Sequence, residues 1–441
     1  MSQAPLTLGR LLEQLLRREG AALRGALLRD GCDLDTADEA LQEASLRALR
    51  SWPMSGLPER PAAWLLTVAR RWRIDRLRRG REQALDDELA ATLTDPDPCP
   101  VERMVEAEQG RSAVDDDRLR LLFQVCHPAL SSEASMALAL KVVCGLSTRE
   151  IARAFLLTEA SAAQRIVRAK QKIAQSAIPF ALPDAGDLPQ RVDAVLRVIY
   201  LLFNEGYAAT ESESLIRPDL CCEAIRLAEL LTQLLPEHAE VRGLLALLLL
   251  TDARRPARLG TDGSVQLLEQ QDRAHWDRAK IERGQGQLDT ALTLRQPGPY
   301  QTQAAIAALH AAAPTPADTD WKQILALYGQ LLKRQPSPVV ELNAAIALAM
   351  VEGPAAGLAW LDRLHGEGLL DGYHLLPACR AALLGQLGRF EEALEACEAA
   401  LLRVGNAAER KLLQARHEAL TASWKAIIEA DHRPPTATPQ P

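Results

Sequence analysis

Apolar positions recur at helical spacing along most of this chain, and the breaks between them mark out the elements. LGRLLEQLLRREGAALRGALLRD, from Leu8, is amphipathic, and ADEALQEASLRALRSW follows after a short break. PMSGLPERP is rich in Pro and Gly and predicts a loop. PAAWLLTVARRWRIDRLRR predicts a third helix, with Pro61 at a start position where its missing N–H is tolerated. On that helix Leu65, Leu66, Val68, Ala69 and Trp72 fall within one arc, and Arg71 and Arg78 point away from it. Leu-rich helices are predicted over 117–125 and 131–144. Ser147-Thr148-Arg149-Glu150 fits a capping box, so a helix starts at Thr148 and runs to about Phe155. Thr158 is the N-cap of the next helix, which continues to Lys172.

From about 185 to 430 the pattern becomes a long series of helices, several of them in pairs joined by short turns. The clearest pair is PACRAALLGQLGRFEEALEACEAALLRVG, 377–405. Its Gly388, Phe390, Ala393, Cys397, Ala400 and Leu401 sit where a tetratricopeptide-like repeat has its turn glycine, aromatic and small packing residues. LNAAIALAMVEGPAAGLAWLDRL, 342–364, is a second pair, and the repeat is degenerate over 190–330. The end, HRPPTATPQP, reads as a disordered tail over 431–441. The fold class is all-α, and the abundance of Ala and Leu with 4% aromatics agrees with it.

Charge changes the picture. The chain carries a formal net charge of -7, yet RRWRIDRLRRGR, 70–81, holds arginine at 70, 71, 73, 76, 78, 79 and 81 against Asp75 alone. Between Glu82 and Asp117 twelve acidic residues face only Arg103 and Arg111, and TDPDPCP cannot be a regular helix. An acidic linker is expected over 82–112. It separates helical domains at 8–81 and 113–176, with the repeat region at 185–430 beyond.

Several classes drop out. The longest apolar run, LLALLLL at 244–250, is a buried helix segment and too short for a membrane span. The N-terminus has no signal pattern, so a cytoplasmic location is expected. Cysteines 32, 99, 126, 144, 221, 222, 379 and 397 form no C-x-x-C and read as buried thiols, without a metal or cofactor. P-loop, G-x-S-x-G, H-E-x-x-H and Rossmann fingerprints are missing, and His275-Trp276-Asp277 lacks a nucleophile or metal geometry beside it. The chain is not expected to be an enzyme.

Two features carry nucleic-acid chemistry. A capped helix, a short turn and a second helix suit entry into the major groove. Thr148, Arg149, Glu159, Ser161, Gln164 and Arg165 are candidates there, with Arg168, Lys170 and Lys172 reaching phosphates. The plain alternative is an ordinary helical hairpin. The arginine helix has its own plain alternative, a solvated basic face. Its density on an acidic protein favours a phosphate-binding face, because each neutralised phosphate releases counterions.

Together these segments resemble the extracytoplasmic-function sigma factors of the sigma-70 family. DTADEALQEASLRALRSWPMSGLPERPAAWLLTVARRWRIDRLRR resembles their region 2, and LSTREIARAFLLTEASAAQRIVRAKQKI resembles region 4, with Leu156 where many such turns carry glycine. The resemblance implies that Asp38, Gln42 and Glu43 bind the clamp helices of the largest subunit of core RNA polymerase. It implies that the 51–61 loop captures a flipped base of the −10 element, with Trp52, Pro53, Met54 and Trp64. It implies that Arg70, Arg71, Arg73, Arg76, Arg78 and Arg79 hold the −10 DNA. It further implies that the 148–172 unit reads the −35 element and touches the polymerase flap, and that the acidic linker threads towards the active-site channel.

LLFNEGYAAT (201–210), QDRAHWDRAKIERG (271–284), GPYQTQAAIAALHA (298–311), TDWKQILALYGQLL (319–332) and DGYHLLPACRAALLGQLGR (371–389) look like the subgroup with a tetratricopeptide-like extension that modulates sigma activity. Asn204, Glu205, Tyr207, Asp320, Trp321, Tyr373 and His374 are candidate contacts for a ligand or regulatory protein, although such residues commonly cap helices or satisfy backbone groups. The function expected is promoter recognition, DNA melting and transcription initiation. The alternative is a one-component DNA-binding regulator or scaffold whose repeats bind a protein partner.

Overall fold

The computed structural model describes residues 8–84, 117–155, 157–176, 178–183, 186–208, 216–260 and 263–431. Among them are eighteen α-helices and three short 3-10 turns. The sole bridge of strand type among the described residues joins Leu259 to Val265. The chain divides between Leu202 and Phe203 into two compact units.

In the first unit α1 (Leu8–Arg29), α2 (Leu34–Ser55) and α3 (Pro61–Ala84) pack around Leu12, Leu23, Leu27, Leu41, Trp52, Leu65 and a ladder of alanines at 37, 40, 44, 48 and 69. The small alanines let α2 approach α1 and α3 closely. Asp33 caps α2 by accepting from the Thr36 N–H. The helix does not stop at Trp52 as expected: Pro53 lies inside its last turn, and Gly56, at φ 82°, ends it. The irregular segment is therefore only 56–60. α3 also reaches Ala84, past the expected start of the acidic linker. The linker from 85 on, Leu156 and the tail from 432 fall outside the described residues, as does Cys99.

The helices α4 (Asp117–Val125), α5 (Ser132–Val142), α6 (Thr148–Ala154) and α7 (Glu159–Gln175) follow. Ser131 and Thr158 each cap a helix through the side chain. Leu119, Leu121, Leu122, Phe123, Leu138, Leu140, Leu146 and Ile151 are fully buried or nearly so. α4 lies against α1 at Gly25, where an added Cβ would come within 2.6 Å of the Asp117 Cβ. The first three helices and the next four are thus packed on one another.

The second unit begins within α8 (Leu188–Tyr207) and continues through α9 (Pro218–Leu234), α10 (Ala239–Asp252), α11 (Arg278–Thr293), α12 (Pro299–Ala312), α13 (Trp321–Arg334), α14 (Pro338–Glu352), α15 (Pro354–Gly366), α16 (Leu375–Gln386), α17 (Phe390–Arg403) and α18 (Ala407–Asp431). Leu244–Leu250 is buried throughout because α10 is covered by α9, α11 and α12. The α16–α17 hairpin turns at Gly388, φ 72°, where the repeat pattern requires it. The repeat is broken between α10 and α11 by the excursion 253–277, which carries two 3-10 turns. Cys222 is exposed, against the expectation of buried thiols, because it faces outward from α9 while its neighbour Cys221 faces the core.

α14 and α15 touch at Gly357, where an added Cβ would meet the Ala349 Cβ at 2.5 Å and the Ala345 carbonyl oxygen at 2.7 Å. Gly357→Val should force the pair apart and destabilise by about 1–3 kcal/mol, the usual range for overpacking. Urea denaturation followed by circular dichroism measures it, and an unchanged midpoint contradicts the close approach.

Candidate nucleic-acid interface

The basic helix α3 uses its arginines in two ways. Arg70 Nε donates to Asp30 Oδ2 at 2.8 Å, and Arg73 donates to the Asp30 carbonyl oxygen. Arg76 pairs with Glu39 and lies over the Trp72 ring, 5.1 Å from its centroid. These three bind α3 to α1 and α2. Arg71 and Arg78 are exposed, as the periodicity predicts, and beside them Ile74 and Leu77 are exposed apolar residues. Of the Arg79 side chain nothing is described.

At the end of α2, Met54 is 90% exposed and Pro53 is exposed. Trp52 is a correction: its indole is 4% exposed and belongs to the core, because it sits on the buried stripe of alanines on α2. It supports Trp64, half-buried, through an edge contact with ring centroids 5.3 Å apart.

The helix-turn-helix forms from its caps. Glu150 Oε2 accepts from the Ser147 N–H at 2.5 Å and Ser147 Oγ accepts from the Glu150 N–H at 3.1 Å, which closes the predicted capping box. Ala162, Ile166, Ala169 and Ile173 seat α7 in the core, leaving Glu159, Ser161, Gln164, Arg168 and Lys172 exposed along its outer side. Arg149 is exposed and Thr148 half-buried on α6. Arg165 is held by Glu133 at 3.5 Å, so it does not extend outward with the rest.

Lys170 departs further from the expected role. Its Nζ donates to Asp38 Oδ2 at 2.6 Å and Asp35 Oδ1 at 3.1 Å, both on α2. Asp38 Oδ1 accepts from Arg24 Nε at 2.6 Å, and Arg24 Nη1 reaches the Val142 carbonyl at 3.2 Å. Burial pushes the Asp38 carboxyl up, but the charges of Arg24 and Lys170 outweigh this and leave it below its ordinary value. Burial likewise opposes the charge on Lys170, and Asp38 and Asp35 overcome it and raise its pKa. Lys141 stands close by, lowered by burial and by Arg24. Arg17 joins the same seam, bridging to Glu150 at 3.4 Å and Glu13 at 2.8 Å. On the other side Arg118 donates to the Arg18 carbonyl at 2.8 Å.

Gln42 is exposed, and Glu43 is paired with Arg47 one turn on. Sequence reasoning missed Leu46 and Leu49, which are 42% and 41% exposed on the stripe that carries Asp35, Asp38 and Gln42. The signal was present, since both leucines fall opposite the buried alanines of α2. Arg24 was missed because its partner is read only from the fold.

In the repeat unit the predicted polar residues separate. Asp320 caps α13, accepting from the Gln323 N–H at 2.9 Å, and Trp321 packs on His310 with ring centroids 5.2 Å apart. Tyr207 stacks on Phe203 at 5.6 Å and carries the Arg258 guanidinium over its ring at 4.0 Å. His374 pairs with Glu409 at 3.3 Å, with Tyr373 beside it at 6.0 Å. Asn204 is exposed and Glu205 is buried at 4%.

Comparison with known proteins fits this geometry. Residues 15–83 match the family described as Sigma-70 region 2, and residues 120–173 match Sigma-70, region 4. An uncharacterised protein of Rhizobium meliloti (strain 1021) is 47% identical over 411 residues, covering 93% of this chain and 96% of its own length. The chain belongs to the sigma-70 family, among the extracytoplasmic-function-like members with a helical-repeat extension. Within that extension, residues 191–292 match a family of unknown function, DUF6596. The crystal structure of the yeast Tom70 aligns with 95% of this chain and 86% of its own at 13% identity, with a TM-score of 0.36. No described helix is long and apolar enough to cross a membrane. In sigma terms, α1–α3 carry region 2, and α4–α7 carry region 4.

The two pKa shifts give the seam between regions 2 and 4 a defined pH response. Asp38, lowered, contributes above the unfolded carboxylate value of about 4 and loses its contribution as pH falls through its own lower value. Lys170, raised, contributes below about 10.4 and loses it only as pH rises through its higher value. Spin labels at the exposed positions 46 and 167 should keep one separation across neutral pH and a broader one below about pH 4, while helix content persists. A separation that opens first on the alkaline side contradicts the assignment.

Proposed function

We propose that the chain binds core RNA polymerase and directs promoter recognition, melting and initiation. The observation that carries this reading is the pairing, in one chain, of an outward basic face on α3 with a capped helix-turn-helix whose α7 is exposed at Gln164, Arg168 and Lys172. On this reading Asp35, Asp38, Gln42, Leu46 and Leu49 form the face of α2 that docks the largest-subunit clamp helices. Arg71 and Arg78 bind the −10 phosphates, with Met54 and Trp64 at the melted base. Glu159, Ser161 and Gln164 meet base edges of the −35 element, and Arg168 and Lys172 meet its backbone. The chain acts by binding in the cytoplasm, leaving catalysis to the polymerase, and the repeat unit modulates its activity.

On this reading docking places a demand on the same residues. Asp38 and Lys170 neutralise one another in this conformation. To engage polymerase with Asp38, regions 2 and 4 must separate. The free chain is therefore a closed form whose affinity for polymerase is reduced by the rarity of the open form.

Run-off transcription with purified core polymerase tests the main reading. The protein should start RNA at a cognate promoter without another sigma, and failure to do so favours a regulator or scaffold. Arg71→Glu with Arg78→Glu should abolish open-complex formation and spare polymerase binding.

A separate experiment tests the closed form. Arg17→Glu with Arg118→Glu disturbs the seam away from the docking and DNA-binding residues, and should tighten core binding by about two- to tenfold. Equal affinity of variant and wild type contradicts closure, whereas loss of binding by both contradicts the sigma reading.

A further inference from the structure

The repeat unit contains a group of buried hydrogen-bond donors that the fold itself leaves unused. Four nitrogens are involved: the N–H donors Arg254 Nε, Arg273 Nε and Trp276 Nε1, and His310 Nδ1, which donates in one of the two neutral tautomers, each buried and without a hydrogen-bond partner. Arg273, Trp276 and His310 are only 6%, 3% and 8% exposed. Buried polar groups are almost always satisfied, so several together call for an explanation.

The fold brings these residues to one place. The Asp277 N–H donates to the Ala253 carbonyl at 2.9 Å, which holds the Arg273–His275 turn against the end of α10, beside Arg254. Arg273 Nη1 donates to the His310 carbonyl at 2.9 Å and to that of Ala313, and Nη2 reaches Thr319 Oγ1 at 3.2 Å. Its guanidinium lies over the Trp276 ring, 5.1 Å from the centroid. Thus the ends of α10 and α12 and the turn between them meet.

The charges here do not balance. Arg254 acts on Arg273, His310 and Arg258, lowering the pKa of each, in every case after the larger effect of burial. Burial first, then Arg254 and Arg273, take His310 down to about 4, so its ring is neutral near pH 7. Nearby carboxylates are committed. Asp252 Oδ2 accepts from Lys280 at 2.7 Å, and its Oδ1, which makes no hydrogen bond, is ion-paired with Arg255 at 3.3 Å. Asp318, which acts weakly on Arg273, accepts from the Thr315 N–H and hydroxyl at 3.1 and 2.7 Å.

We propose that Arg254, Arg273, Trp276 and His310 form a binding site for a small oxyanion, a ligand bearing a phosphate or carboxylate group. Such a group accepts from several N–H donors at once and supplies the missing negative charge. A cation satisfies none of the guanidinium and indole N–H groups. The burial of three of the four residues restricts entry to a small group. Because the site joins the ends of α10 and α12 with the intervening turn, occupancy braces the start of the repeat stack. This site belongs to the second unit alone and does not rest on the promoter reading.

The full-length protein tests it by thermal denaturation and calorimetry, with inorganic phosphate and with succinate as probes, at constant ionic strength against chloride. At least one probe should raise the melting temperature saturably, and the stronger of the two distinguishes a phosphoryl from a carboxylate ligand. Arg254→Gln should bind that probe about tenfold or more weakly, the loss expected for a charge-assisted hydrogen bond. The same variant should keep or raise the melting temperature of the ligand-free protein, since its buried nitrogen has no partner to lose. Trp276→Phe, which keeps the ring and removes the donor, should also weaken the response. No saturable shift with either probe overturns the proposal. So does a wild-type response from Arg254→Gln, or a lowered melting temperature in its ligand-free form.

Discussion

Asp38 divides its two oxygens between domains. Oδ1 receives Arg24 from its own domain, and Oδ2 receives Lys170 from α7. A partly buried carboxylate is tolerable only while it is paired, and removing one partner leaves a charge in a poor solvent for it. The seam around it follows from that requirement. Arg24 is positioned by the Val142 carbonyl, and Arg17 engages the very carboxylate that completes the α6 capping box. A local signal for starting a helix and a long-range contact between domains therefore share one side chain, Glu150, which is 7% exposed. Opening the seam must hand Asp38 and Lys170 to new partners of opposite charge or to water.

The fold was legible where its causes are local. The Ser147–Glu150 box and the Thr158 cap act over three residues, and both appear where the sequence places them. The buried arc on α3 and the apolar face of α7 follow from helical periodicity. The end of α2 was not legible. Proline is a strong stop signal within a helix, yet Pro53 is tolerated in the last turn, and Gly56 with its positive φ sets the boundary. Trp52 was assigned to the base-capturing 51–61 segment because it stands at the expected end of α2, but with α2 continuing past it the residue lies on the buried stripe of the helix.

Contacts between residues far apart in the chain were the part that sequence could not supply. Lys170 reads as a phosphate ligand because lysine on an exposed helix commonly is one. Only the packing of α7 on α2 brings it to Asp38, 132 residues away. In the repeat unit the expectation that polar residues serve structure holds for Asp320, which caps α13, and for Asn406, whose Oδ1 caps α18. Arg254 differs from these in a way that its residue type does not reveal. What sets it apart is the lack of an acceptor for its buried Nε, which is a property of the surroundings.

The arginine run shows why a count of charges misjudges a surface. Arg70 and Arg73 are taken up by Asp30, just past the end of α1, and Arg76 by Glu39 on α2, so two acidic residues fasten the basic helix down. Without those anchors three more uncompensated guanidiniums would flank the apolar arc that seats α3 in its domain. With them, the outward charge falls on Arg71 and Arg78, seven residues and about 10 Å apart along the helix axis. At physiological salt that spacing slightly exceeds the Debye length of about 8 Å, so solvent ions screen much of the repulsion between the two guanidiniums. The helix can therefore present both charges outward at small cost while its opposite side remains committed to the fold.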